Sequence, residues 1–250
     1  MGSYSISLIT LTLNSDKNIQ ACVESVKTQT HKPDQYIIKD GGSNDETLSL
    51  ISSMIDDVEI YQQKDNGIYS GLNQALEKVT CDLVMLLHSD DVLHDATVIS
   101  NVVEHFNKTN CDVVFGDIEI LQPETRRRLR YWRSSPFRKR RLIFGWMPAH
   151  TSLVMRKSIF EEIGGFDESY EISGDYDHIL RVFSRDDLKF EYLPRVITSM
   201  QAGGTSNRNF ASFVLKWKED IRAARQLSYF PYLTVLFKRL RKLMQFFMRK

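Results

Sequence analysis

The chain has 250 residues, 42% of them hydrophobic and 26% charged, with a net charge of +1. That apolar content supports one substantial core with a small appendage. Cys22, Cys81 and Cys111 form no CxxC pair and no zinc-type His–Cys spacing, which points to reduced packing residues in a cytoplasmic setting. No basic-then-apolar leader and no long uncharged apolar run occurs, so neither a signal peptide nor a membrane-spanning helix is expected.

The small net charge hides an asymmetry. Arg126 to Arg141 holds nine Lys/Arg and no acid, and Phe213 to Lys250 holds ten against Glu219 and Asp220. An acidic body with two basic stretches implies a cation-bearing centre and a surface that meets something anionic.

In chain order, Ser5 to Leu13 is β-branched and apolar, a first strand ending in the helix-cap chemistry of Asn14-Ser15-Asp16. Ile19, Cys22, Val23 and Val26 form the inner stripe of the helix that follows. Gln35 to Lys39 is a second strand ending at Asp40-Gly41-Gly42, and Leu48, Ile51 and Ile55 mark a second helix. Val58 to Tyr61 is a third strand, followed by the Lys64 to Gly67 loop and a helix from Ile68 to Lys78. Leu83 to Leu87 is an apolar run of strand length that leads through His88-Ser89 to two adjacent carboxylates, Asp90 and Asp91. Two such groups repel each other unless a cation or hydrogen-bond donors lie between them. A strand followed by an Asp-rich turn and a helix cap explains the same residues. Alternating strands and helices predict a doubly wound, mostly parallel α/β sheet flanked by helices. The loops at Asn14, Asp40, Asp65 and Asp90 then share one crevice beyond the strand ends, and this recurrence favours a site over a turn.

Beyond Asp91 a helix from Ala96 to Phe106 leads to a strand ending at Gly116-Asp117. Glu124 to Arg141 reads as an exposed, mobile basic connection. Thr151 to Met155 is a strand, Lys157 to Ile163 a helix capped by Gly164-Gly165, and Asp175 to Phe183 a further helix. Phe190 to Leu193 and Val196 to Thr198 are short strands, and Phe210 to Leu227 is a long helix.

Ile38 to Asp45, Asp65-Asn66-Gly67-Ile68-Tyr69 with Asn73, and Ser89-Asp90-Asp91 together resemble the family 2 glycosyltransferases of the GT-A fold. Pro148-Ala149-His150-Thr151, Gly164-Gly165-Phe166-Asp167, Ser173-Gly174-Asp175-Tyr176-Asp177 with Arg181, and Gly203-Gly204-Thr205-Ser206 follow in the family's order. The resemblance covers residues 5 to 207, and its members of this kind build bacterial capsule, exopolysaccharide or O-antigen units. It implies an inverting transfer from a nucleoside-diphosphate sugar, assisted by a divalent cation (Mn2+ or Mg2+). By resemblance Asp175 is the base, and Asp90 and Asp91 hold the metal. Thr10, Asn14, Asp40, Asp65, Asn73, Asp90, His150, Gly203 and Gly204 line the nucleotide sugar, with the two glycines in a lid. The plainer alternatives are a cap or an Arg181 partner for Asp175, an Asx turn for Asp40 and a local cap for Asn73. Asp117 and Asp167 read as structural. The first acid of the family's DxD pattern is replaced here by His88, and a second acid common in relatives is replaced by Gly41.

From Pro231, apolar residues recur at helical spacing through Leu233, Leu236, Phe237, Leu240, Leu243, Met244 and Phe247. Lys238, Arg239, Arg241, Lys242, Arg249 and Lys250 flank them without an acid. The pattern reads as a helix lying on an anionic membrane leaflet with its cations reaching the headgroups; a helix docked on the body is the alternative. Nucleic acid is the rival partner for such stretches, but no binding module accompanies them. The expected layout is a glycosyltransferase domain over 1–207, with a nucleotide-sugar half over 1–117 and an acceptor half over 118–207, then C-terminal helices over 208–250. The expected location is the inner face of the cell membrane, with a lipid-linked saccharide as acceptor. A pyrophosphorylase would need a Gly-rich phosphate loop after the first strand, and a non-catalytic adaptor would not need Asp175.

Overall fold

The structure, a computed structural model, describes residues 3–123, 125–203, 210–227 and 230–247. The first half alternates β1 (Ile6–Thr12), α1 (Ile19–Lys27), β2 (Gln35–Asp40), α2 (Thr47–Met54), β3 (Glu59–Gln62), α3 (Ile68–Leu76) and β4 (Leu83–His88). The second half comprises β5 (Asp91–Leu93), α4 (Val98–Thr109), β6 (Val113–Leu121), β7 (Arg128–Trp132), β8 (Leu153–Arg156), α5 (Lys157–Ile163), α6 (Gly174–Phe183) and β9 (Phe190–Gln201). Two helices, α7 (Phe210–Arg225) and α8 (Pro231–Phe247), follow.

The strands form one sheet in the order β3-β2-β1-β4-β8-β6-β9-β5, with β7 added beside β6. β1 to β4 run parallel in the expected doubly wound arrangement, whereas β8 lies antiparallel between β4 and β6. Of these, β1, β2 and β4 are buried on both faces, which is why they read as near-continuous apolar runs. Ile19, Cys22, Val23 and Val26 are buried in α1 as their spacing predicts.

Three local expectations are corrected. The basic stretch expected to be a mobile connection instead contains β7, because acidic residues of β6 receive it. Arg128 Nε donates to Glu119 at 2.8 Å, and Asp117 accepts from the Tyr131 hydroxyl and the Ser134 N–H. The two short strands near residue 190 are one, since β9 pairs with β6 along its length through a register shift. Asn14 caps no helix: it sits at φ +49° and its carboxamide oxygen accepts the Asn44 N–H, tying the β1 and β2 loops together.

The C-terminal helices dock on the body. Val235 and Thr234 of α8 are buried, and Gly145 is glycine because a Cβ there would collide with the Lys238 backbone. The apolar stripe Leu233, Leu236, Phe237, Leu240, Leu243 and Met244 faces outward, while Lys238 turns inward to Asp220 at 2.8 Å. This reverses the expected arrangement, in which the cations reach out beside the apolar face. Among the described residues no helix is long and apolar enough to cross a membrane.

Candidate active site

The crevice beyond β2, β3 and β4 is built by polar residues that the strand ends deliver together. Asp40 closes β2 with its carboxylate fully used: Oδ1 accepts the Gly42 and Ser43 N–H groups and Oδ2 the Ser43 hydroxyl at 2.5 Å. It therefore makes the Asx turn. Asp65 is held by Lys39, whose ammonium is 3.0 Å from Oδ2 and whose side chain is only 1% exposed. Gly71 and Gly41 leave room for that carboxylate, since a Cβ on either would lie 3.0 Å from it.

Asp90 follows β4, with the preceding Ser89 hydroxyl 2.9 Å from that of Ser15. Asp91 does not cap a helix but opens β5, where it is 1% exposed. Both of its carboxylate oxygens are buried without a hydrogen-bond partner. Burial, and then the neighbouring Asp90 charge, push its pKa well above the usual carboxylate range. An orphaned buried carboxylate next to a second carboxylate is what a hard divalent cation satisfies. Among the described residues no three His, Cys, Asp or Glu side chains form a cage, so such an ion would draw further oxygens from a ligand and water.

Asp175 lies in the first turn of α6, where the helix N-terminus favours a carboxylate. Its Oδ2 is 3.2 Å from His150 Nδ1, and His150 Nε2 is 3.0 Å from His88 Nε2. Burial opposes ionisation of Asp175, but the His150 hydrogen bond and charge, with Lys216 and Lys238, outweigh it and hold the carboxyl below its usual range. Burial drives the His88 pKa down to about 3, so this ring is neutral. His150 Nδ1–H donates to Asp175, and one proton is shared between the Nε2 atoms of His150 and the neutral His88. Arg181 does not pair with Asp175; it binds Asp177 at 2.9 Å and the carbonyls of Ile163 and Gly165.

The loop that presents Asp175 is held from α7. Glu219 accepts the N–H groups of Glu171, Ile172 and Ser173 at 2.8, 2.9 and 2.8 Å, and Asp220 accepts the Ser173 hydroxyl at 3.0 Å. From the other side the Tyr69 ring of α3 packs beneath Gly174, where a Cβ would lie 2.8 Å from it.

Asp65 thus lies against Gly41 beside Asp40, while His88, His150 and Asp175 link the end of β4, just before Asp90 and Asp91, to α6. Thr10 does not join them: it is wholly buried and its hydroxyl meets the Tyr36 hydroxyl at 3.2 Å. Thr12, two residues further along the same strand, sits at the strand end opposite Asp40 with its hydroxyl unpartnered. Asn73 is committed to the Gly-Gly-Phe turn, with its carboxamide bonded to both Phe166 backbone groups and to Glu168. Gly203 has φ +113°, and Gly204 lies outside the described residues. Sequence reasoning missed Glu219 and Asp220 as elements of the site, though they are the only acids between Phe213 and Lys250. It noted His88 only as a departure from a pattern.

The glycosyl transferase family 2 model matches residues 7–189. A PGL/p-HBAD biosynthesis glycosyltransferase of Mycobacterium bovis (strain BCG / Pasteur 1173P2) is 28% identical over 213 residues, covering 83% of this chain and 81% of its own. An uncharacterized glycosyltransferase of Rickettsia prowazekii is 25% identical over 214 residues, covering 81% of this chain and 66% of its own. Among solved structures, Staphylococcus aureus TarS superposes with TM-score 0.67 at 16% identity, covering 89% of this chain; this chain spans 39% of TarS. The mannosyltransferase PcManGT of Pyrobaculum calidifontis, in complex with GDP-Man and Mn2+, superposes with TM-score 0.65 at 14% identity over 96% of this chain and 70% of its own. With matching motifs, a matching sheet and a family match over most of its length, the chain belongs to glycosyl transferase family 2 and has the GT-A fold.

Proposed function

We propose that the chain is an inverting, divalent-cation-dependent glycosyltransferase that moves a sugar from a nucleoside-diphosphate donor to a lipid-linked saccharide on the inner face of the cell membrane. The observation that carries this reading is the hydrogen-bonded link from Asp175, held ionised by His150, to His88 at the end of β4, two residues before Asp90. The UDP-GlcNAc complex of TarS and the GDP-Man and Mn2+ complex of PcManGT support the donor class and the cation.

Asp90 and Asp91 would hold the cation, which supplies charge stabilisation for the departing diphosphate. Asp175 takes the proton from the acceptor hydroxyl as its oxygen attacks the anomeric carbon from the face opposite the diphosphate. The bond from that carbon to the β-phosphate oxygen breaks, its electron pair leaves with the nucleotide, and the configuration inverts. His150 keeps Asp175 anionic and oriented, and His88 holds the His150 ring through its Nε2. The outward apolar stripe of α8, continued by Phe144 against Phe237 with ring centroids 5.7 Å apart, is suited to lie in a membrane interface.

A panel of nucleotide sugars assayed for nucleotide release with Mn2+ or Mg2+ tests the reading. One or two donors should be slowly hydrolysed by the wild type and none by Asp175→Asn. No release from any donor, with or without a lipid-linked acceptor, overturns it.

A further inference from the structure

α8 is built inside out for a solvated surface helix. Its large apolar residues Leu236, Leu240 and Met244 are exposed, while Lys238 and Arg239 turn toward the body. The Arg239 guanidinium lies over the rings of Phe213 and Trp217 at 4.4 and 4.5 Å, with Nε and Nη2 buried and without a hydrogen-bond partner. Lys238 Nζ lies 3.3 Å from the centroid of the Tyr176 ring, next in sequence to Asp175. Arg130, from β7, donates to Gln245 at 2.8 Å and stacks on Trp132. Lys216 of α7 and Lys242 of α8 complete the group: Arg130, Lys216, Lys238 and Arg239 all act electrostatically on Lys242.

We propose that these five cations, gathered between β7, α7 and α8 beside the catalytic loop, form a binding site for the phosphate head of a prenyl-diphosphate-linked acceptor. Three of these cations are short of negative charge. Among the described residues Lys216, Arg239 and Lys242 have no carboxylate within ion-pair distance, and Asp220 is already shared between Lys238 and Ser173. A partly buried guanidinium without an acceptor is costly, and a diphosphate offers the several oxygens and charges that offset it. Position distinguishes this site from the one for the donor: the donor's diphosphate belongs at Asp90 and Asp91, whereas Lys216 and Lys238 act on Asp175, where the acceptor hydroxyl must arrive. A lipid is favoured over a free anion because the same helix turns its apolar face outward, so a chain can lie along that face with its head turned in. The inference rests on the glycosyltransferase reading above and names the chemistry of its acceptor side.

The test titrates the full-length protein calorimetrically with farnesyl diphosphate and with inorganic pyrophosphate, and measures flotation with phosphatidylcholine vesicles containing phosphatidylglycerol. Farnesyl diphosphate should bind about tenfold more tightly than pyrophosphate, the extra affinity coming from its buried chain. Arg239→Gln and Lys242→Gln should each weaken it by about fivefold or more, with Arg239→Lys less affected, as expected for lost charge-assisted contacts. Lys242 is exposed and makes no hydrogen bond among the described residues, so Lys242→Gln carries the test even if Arg239→Gln does not fold. Absent binding, or equal binding by wild type and Lys242→Gln, overturns the proposal. Equal affinity for pyrophosphate assigns the cations to free anions, and lost flotation with unchanged farnesyl diphosphate affinity assigns them to membrane headgroups; either overturns it. Donor hydrolysis without farnesyl diphosphate binding defeats this inference alone. Lys242-dependent binding without turnover of any donor defeats only the glycosyltransferase reading.

Discussion

His88 and His150 meet through their Nε2 atoms at 3.0 Å, and the other ring nitrogen of His150 lies 3.2 Å from Asp175 Oδ2. The three side chains form a chain of hydrogen bonds from the end of β4 to the first turn of α6. His88 is therefore connected to the proposed base. Losing this outer hydrogen bond in His88→Leu should lower kcat about fivefold, since one buried hydrogen bond is worth about 1 kcal/mol. Asp175→Asn should lower kcat by about 10^2 to 10^4, the range of general-base contributions. In steady-state assays with the preferred donor, the KM for donor should change little in His88→Leu; a loss confined to KM would contradict the positioning role.

Asp91 offers a stability test of the proposed cation site. Its buried, unpartnered carboxylate is costly without a cation, so Asp91→Asn should raise the melting temperature of metal-free protein, by roughly 1 to 2 kcal/mol in stability. Mn2+ should raise the melting temperature of the wild type and leave that of Asp91→Asn unchanged. Equal Mn2+ responses in thermal melts of the two proteins would remove Asp91 from the site.

Glu219 accepts three N–H groups of the loop before α6, so its removal leaves three donors without an acceptor. Glu219→Ala should cost about 2 to 3 kcal/mol of stability. Because Asp175 rides on that loop, nucleotide release should fall as well, at temperatures where circular dichroism shows the variant folded. Full activity in a folded Glu219→Ala would separate α7 from the site.

His178 sets an acid limit on stability. It is buried between Phe160 and Phe166, with ring centroids 5.1 and 4.6 Å away, and burial, followed by the Arg181 charge, drives its pKa down to about 3. The unfolded chain takes up a proton near the ordinary histidine value and the folded protein does not, so stability falls as pH drops from about 6.5 toward 3. At pH 4.5 the loss from this residue is about 2 to 3 kcal/mol. Denaturant melts at pH 7.5 and 4.5 should show a smaller drop for His178→Leu than for the wild type.

The outward face of α8 can be probed separately from its inner one. Leu236→Ser with Leu240→Ser removes exposed apolar surface, and should abolish flotation with anionic vesicles while leaving the melting temperature unchanged within a few degrees. Unchanged flotation would refute membrane contact through this face.

The sequence by itself determined the first half of the molecule. Buried parallel strands must be apolar along their length, and the residues just after them must be polar, so β1 to β4 and the loops at Asp40, Asp65 and Asp90 were readable in order. Asp175 was readable from its motif, and the apolar stripe of α8 from its period. Only the tertiary structure decided what these features touch. His88 and His150 are 62 residues apart, Glu219 and Ser173 46, and no local pattern encodes either pairing. The fate of β7 depended on carboxylates that β6 brings alongside it, and Thr10 was excluded from the site by its depth in the sheet. A helical period reveals that α8 has an apolar face, but not which face the body takes. Gly145, Asp220 and Tyr176 settle that by giving the backbone room and the lysine two partners, which turns the cations inward and leaves the apolar stripe facing out.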